Sequence, residues 1–197
     1  MTITIPTIVE GQGEVRALPI LLRRLGELYC PEHYLNIPPP HRLPRGKMTN
    51  RPDEFKRAVQ LAAAKGGPPS EAFIIVLLDS DQDCAAEIGP RLAREAKTAR
   101  SDFQITVSLA VREFECWILA SPGSLNLPTG VEAPADPESV GGAKGWLKRN
   151  LPLEKYSETI DQPRLTSQID IETARGSSPS FDRFCREFQS IVIELAG

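Results

Sequence analysis

At 197 residues, 41% hydrophobic and 25% charged, the chain has the apolar mass for one domain with a full core and none of the bias of a disordered protein. A formal net charge of -3 excludes the positive surplus of a protein that grips a long duplex unaided, so any nucleic-acid contact must be local or lent by a partner. No apolar run approaches the roughly 20 residues that span a bilayer, and MTITIPTIVEG has neither a basic leader region nor a small-residue cleavage site.

Taken in chain order, Ile3 to Val9 is β-branched and stops at Glu10-Gly11, a strand followed by a turn. Val15, Leu18, Leu21, Leu22, Leu25 and Leu28 then recur at helical spacing, with Pro19 tolerable only near the first turn. Leu35 to Ile37 reads as a second short strand. It runs into Pro38-Pro39-Pro40 and a basic loop carrying His41, Arg42, Arg45 and Lys47. Pro52-Asp53 opens a helix with Phe55, Val59 and Ala62 inward, stopped by Gly66-Gly67.

Phe73 to Leu78 is a continuous apolar run ending in Asp79, as expected of a strand covered on both faces in a parallel sheet. A helix follows from about Ala85 to Arg100. Phe103, Ile105, Val107, Leu109 and Val111 alternate as a fourth strand with one face more exposed. Arg112-Glu113-Phe114-Glu115-Cys116-Trp117 ends that strand and puts Glu113 and Glu115 on one face. This order predicts an α/β fold of three layers, Rossmann-like, with a mostly parallel sheet over residues 1–120.

Residues 121–197 read as a loop and helical extension packed on the same domain. Residues 121–142 are rich in Pro, Gly, Ala and acid, and Ala143 to Leu151 suits a short helix. Ser178-Pro179 caps a last helix striped with Phe181, Phe184, Phe188, Ile191, Val192 and Leu195, a core or partner face. Cys30, Cys84, Cys116 and Cys185 are scattered without a CxxC pair, so they read as reduced thiols of a cytoplasmic protein.

Chemistry in an open parallel sheet gathers at the carboxyl ends of the strands. Glu10 ends the first strand, and Glu14 follows near a helix N-terminus that favours negative charge. Asp79 and Asp81 end the buried strand, spaced so that both can point one way, with Asp83 behind them. Carboxylates that converge raise one another's pKa and destabilise the fold unless neutralised. The simplest neutraliser is a hard divalent cation, Mg²⁺ or Mn²⁺. Other acidic motifs fit worse. Asp79 to Asp83 imitates an EF-hand loop but has Cys84 for its glycine and Pro90 for its glutamate, and a dehalogenase DxDx belongs on the first strand. GxxxxGK[ST] and GxGxxG are both missing.

Ile8-Val9-Glu10-Gly11-Gln12-Gly13-Glu14 followed by Leu77-Leu78-Asp79-Ser80-Asp81 resembles the two Toprim motifs of overcoming-lysogenization-defect (OLD) type nucleases. The resemblance covers about the first 120 residues. It implies that the glutamates and the DxD hold metal for phosphodiester cleavage, with Glu115 as a further acid and Lys144 as the late lysine that neutralises the scissile phosphate. It also implies work beside an ATPase. The whole chain is similar to an uncharacterised bacterial family of small Toprim-like proteins, through Glu10 to Leu22, Arg112 to Trp117, Ala143 to Leu147, Tyr156 to Pro163 and Ser180-Phe181.

The expected metal set is thus Glu10, Glu14, Asp79, Asp81 and Glu115, with Glu10 doubling as general acid or base and Lys144 catalytic. Arg42, Arg45 and Lys47 are the candidate phosphate holders, and Lys148 shares a helix with Lys144. His33 and His41 are too isolated to be ligands, and Trp117 and Trp146 read as packing anchors. Three functions use these groups: a metal-dependent nuclease or nuclease subunit, a non-catalytic module binding Mg²⁺ with a nucleotide or partner protein, and a phosphatase or nucleotide hydrolase. DNA against RNA, endo- against exonuclease action, and whether the chain forms a homo-oligomer stay open.

Overall fold

The computed structural model describes residues 1–152 and 156–197. Among the described residues six strands run β1 (Thr2–Thr4), β2 (Thr7–Val9), β3 (Tyr34–Asn36), β4 (His41–Arg42), β5 (Phe73–Asp79) and β6 (Gln104–Ala110). The single strand expected over Ile3–Val9 is two. Pro6 cannot donate to a ladder, and the chain changes sheets at that point. β1 pairs with β3, whereas β2 joins a parallel sheet of order β4-β2-β5-β6. The Pro6 carbonyl still accepts from Ile75 N at 3.1 Å, which keeps the two pieces in line.

β5 lies between two neighbours and is apolar from Phe73 to Leu78, and its alternation divides the core. Phe73, Ile75 and Leu77 face one cluster, with Leu18, Leu21 and Leu22 of α1 (Gln12–Tyr29) and Phe184 and Phe188 of α9 (Pro179–Ala196). Ile74, Val76 and Leu78 face the other, with Phe55 and Val59 of α3 (Pro52–Gly66) and Leu92 of α4 (Ala85–Ala99). The fold is a three-layer α/β arrangement with parallel strands. Pro19 sits well inside α1, beyond the first turn where it was expected. The buried stripe of Ala17, Leu18, Leu21, Leu22 and Leu25 outweighs the roughly 3 kcal/mol that an interior proline costs.

Three local expectations change. The basic stretch 41–47 is the two-residue strand β4 followed by α2 (Arg45–Asn50), whose Met48 is buried against the α3 face. β6 is covered on both faces over Thr106–Ala110, because α9 brings Glu187 to accept from Thr106 Oγ1 (2.5 Å) and Ser108 Oγ (3.3 Å). Alternating hydroxyls that read as a solvent face are partners of a helix 80 residues away in the chain. Residues 112–117 do not extend the strand. Arg112 is left-handed (φ 65°), the chain turns there, and α5 (Phe114–Leu119) begins with Glu113 as its N-cap.

The extension builds α6 (Ala143–Asn150), α7 (Asp161–Thr166), α8 (Ile171–Ser177) and α9. Ser178 caps α9, accepting from Phe181 N at 3.2 Å, and the phenylalanine stripe is core. Trp117 is fully buried among Phe114, Phe181 and Phe184, with ring centroids 5.1–5.3 Å apart, and Trp146 packs at the edge of the same core. Among the described residues no helix is long and apolar enough to cross a membrane.

Candidate functional site

The register pairs Val9 with Leu77 and Asp79 with Ala110, so Glu10, Asp79 and the turn at Arg112 meet at the carboxyl edge of three adjacent strands. Glu10 Oε2 lies 3.4 Å from Asp79 N, and Arg42 Nε donates to the Glu10 carbonyl at 3.1 Å. Asp79 turns inward and accepts from Phe114 N at 2.8 Å, the free amide at the start of α5. Burial first, then the charges of Glu14, Glu115 and Glu10, hold its carboxyl well above the usual range. Glu10 is raised too, by burial more than by its acidic neighbours Asp81 and Glu14, against the lowering pull of Arg45.

Glu115 is 1% exposed, because α5 places it in the first helical turn facing inward. Burial pushes its carboxyl up to about 7, while Lys144 and the Tyr156 hydroxyl, which donates at 3.0 Å, pull the other way. Gln162 on α7 donates to Glu115 Oε1 (3.3 Å) and to Glu14 Oε1 (3.0 Å). Glu14 is the third residue of α1, the place where a glutamate often reaches back to the N-cap amide. Its Oε2 is nevertheless buried and accepts no hydrogen bond among the described residues.

Asp81 and Asp83 behave differently. Asp81 does not point the same way as Asp79: strand alternation ends at Asp79, and Asp81 is left-handed (φ 52°) with a side chain 55% exposed. Arg45 Nε stands 3.4 Å from Asp81 Oδ2, and the same guanidinium binds Asp83 and the carbonyls of Asp79 and Ser80. Asp81 and Arg112, the two non-glycine left-handed residues among those described, clasp each other across the sheet end. Asp81 N donates to Arg112 O at 3.0 Å, and Arg112 N donates to Ser80 Oγ at 2.9 Å.

The basic residues expected to hold phosphate are already engaged. Arg45 grips the acidic loop, Arg42 the Glu10 carbonyl, and Lys47 pairs with Glu54 at 2.8 Å on the surface. Lys144 opens α6, its backbone N donating to Glu113 Oε2 (2.9 Å) and its Nζ reaching Glu158 (2.5 Å). His41 is held below its ordinary value by burial and by Lys65. Among the described residues, no three Asp, Glu, His or Cys side chains converge as a ready cation cage. Arg45 draws Asp81 outward, and the Gln162 amide stands between Glu14 and Glu115.

Sequence reasoning named every acid of this cluster but neither Gln162 nor Tyr156 as a site residue. Its one trace of them was the family resemblance over Tyr156 to Pro163, which no motif arithmetic turns into a contact. No curated protein and no solved structure matches the chain. The model of a family described as a domain of unknown function (DUF4276) matches residues 9–189, and the chain belongs to that family.

Proposed function

We propose that the chain is a metal-dependent phosphodiester hydrolase of Toprim-like, OLD-nuclease type, holding Mg²⁺ or Mn²⁺ on its carboxylate cluster. One observation carries the reading. Glu10, Glu14, Asp79 and Glu115 are gathered at the carboxyl edge without an arginine or lysine bonded to their carboxylates among the described residues, and Glu14 Oε2 is buried without a donor. Burying several acids together is unfavourable unless protons or a cation compensate them. Carboxylate oxygens are the hard donors that Mg²⁺ and Mn²⁺ prefer.

A bound cation would lower the pKa of a water and stabilise charge on the leaving oxygen. Glu10, half-buried at the rim, would act there as general acid or base. Asp79 and Glu115 orient the inner edge, with Asp81 joining once it leaves Arg45. Lys144, whose charge already acts on Glu115, would be the cation that meets a departing phosphate. The substrate we assign is nucleic acid in the cytoplasm, presented by a partner such as an ATPase, in keeping with the net charge of -3.

The reading with a different occupant is a proton-sharing structural cluster that cuts nothing. It is favoured by the raised carboxyls and by the lack of a preformed cage. Cleavage of plasmid, single strands and free nucleotides, with and without Mn²⁺, separates the two. Metal-dependent cleavage of a polynucleotide that disappears in Glu10→Gln and Asp79→Asn supports the hydrolase. Cleavage of free nucleotides alone moves it to a phosphatase. Metal uptake without cleavage favours a binding module, and neither uptake nor cleavage favours the proton-sharing cluster.

A further inference from the structure

Gln162 is 1% exposed and comes from α7, 148 residues beyond Glu14. Its Nε2 donates to Glu14 at 3.0 Å and to Glu115 at 3.3 Å, so one amide nitrogen links two carboxylates from different ends of the sheet edge. A carboxamide supplies N–H donors and carries no charge. It can therefore fix where two acids stand without cancelling what makes them attract a cation. A lysine or arginine there would cancel that charge, as Arg45 does for Asp81 and Asp83.

The other end of the amide explains a glycine. A Cβ on residue 13 would run into Gln162 Oε1, and one on residue 11 would run into Glu14 Oε2. Both oxygens are buried and lack partners among the described residues. The helix entrance Gly11-Gln12-Gly13 is thus cut back so that an amide and a carboxylate can lie directly on its backbone. Neither glycine has a positive φ, so space and not backbone freedom decides the residue type.

We propose that Gln162 is the positioning residue of the cation site: it holds Glu14 and Glu115 side by side with no basic side chain bonded to either among the described residues, and Gly13 is glycine to admit it. This rests on the metal reading above. It makes the extension part of the site, because α7 supplies the group that keeps acids of α1 and α5 in register. Partners that orient metal ligands typically change affinity by about 10–100-fold when removed.

The test uses the full chain with Gln162→Leu, Gln162→Lys and Gly13→Ala. Mn²⁺ uptake is read from loss of the free-ion electron paramagnetic resonance signal, and metal-free melting is recorded beside it. Gln162→Leu should weaken uptake at least about tenfold, and Gly13→Ala should do likewise by displacing the amide. Gln162→Lys should abolish uptake while raising the metal-free melting temperature, because its ammonium takes the place of the cation. A role in packing alone predicts no variant that gains stability and loses metal. Uptake within about twofold of wild type in both Gln162 variants, too small a change for an orienting partner, overturns the inference. If the wild type takes up no Mn²⁺, the metal reading fails by itself, and metal-free melting decides the Gln162 role. The order Lys, wild type, Leu from highest to lowest then retains only that Gln162 holds Glu14 and Glu115 side by side, and a Lys variant melting below wild type overturns that as well.

Discussion

Two sets of acids share one sheet edge and are treated in opposite ways. Asp81 and Asp83 lie outside, exposed, and share the guanidinium of Arg45. Glu10, Glu14, Asp79 and Glu115 lie inside, and their contacts are neutral: backbone amides, the Gln162 carboxamide and the Tyr156 hydroxyl. An acid compensated by arginine must give up that pairing before it can hold a cation. An acid that meets only neutral donors among the described residues is left to a proton, or to a cation that displaces it. On the proposed function, the contrast gives the inner set the larger share of the chemistry, while Arg45 and the outer pair brace the loop that carries Asp79.

The largest effect should come from the inner set. Asp79→Asn or Glu10→Gln should abolish both metal-dependent cleavage and any Mn²⁺-induced rise in melting temperature, with an unchanged far-ultraviolet circular dichroism spectrum. Asp81→Asn should lower turnover about tenfold and Asp83→Asn only about two- or threefold, the range of a lost minor charge contact. A reversed ranking would break the comparison.

Next in size is a pH effect on the metal-free protein. Glu115 sits near 7 when folded against an ordinary 4.5, so between these values the folded state holds a proton that the unfolded state has released. Stability is therefore largest below that window and is lost as pH rises through it, by up to about 3 kcal/mol. Asp79, raised by burial, acts in the same direction. Thermal melts without metal should fall from pH 5 to pH 7, and Glu115→Gln should flatten much of the slope.

Arg45→Ala tests the brace. It removes bonds to the Asp79 and Ser80 carbonyls from a side chain only 15% exposed, so urea denaturation should show a loss of about 2 kcal/mol. The exposed aspartates contribute little to that figure, since solvent screens them. Smallest is Arg112→Gly. It relieves a left-handed residue worth roughly 1–2 kcal/mol but gives back much of this as unfolded-chain entropy, for a net change within about 1 kcal/mol. A marked loss of stability there would mean that the arginine side chain, and not the backbone turn, holds the sheet end.

The acids were legible because strand ends are legible. Phe73 to Leu78 is apolar without a break, so Asp79 is where burial must stop, and Glu10 follows from the same logic on β2. Legibility failed where a turn reversed the chain. Residues 112–117 alternate well enough to pass for strand, and only the left-handed Arg112 starts α5 and sends Glu115 into the interior. It failed again on β6, where Thr106 and Ser108 look solvent-facing until Glu187 is known to sit over them. Gln162 was beyond sequence reasoning for a simpler reason. A buried amide is recognised by what it touches, and its partners lie 47 and 148 residues away.

That Phe73, Ile75 and Leu77 are covered by α1 from one end of the chain and by α9 from the other has a consequence for how the protein is made. Strands β2 and β5 and the helices α3 and α4 can close the opposite face as soon as residues up to about 110 have emerged from a ribosome. The α1 face must wait for Phe184, Phe188 and Val192, leaving an apolar strip exposed while the chain from about residue 110 to Val192 is made, about 4–16 s at ordinary elongation rates of about 5–20 residues per second. Such long-range closure slows folding, because loop entropy is lost before the contacts that repay it form. The acids would be joined in the same late step, since α7 precedes α9 by little, so a nascent chain carries no assembled site until α7 has emerged.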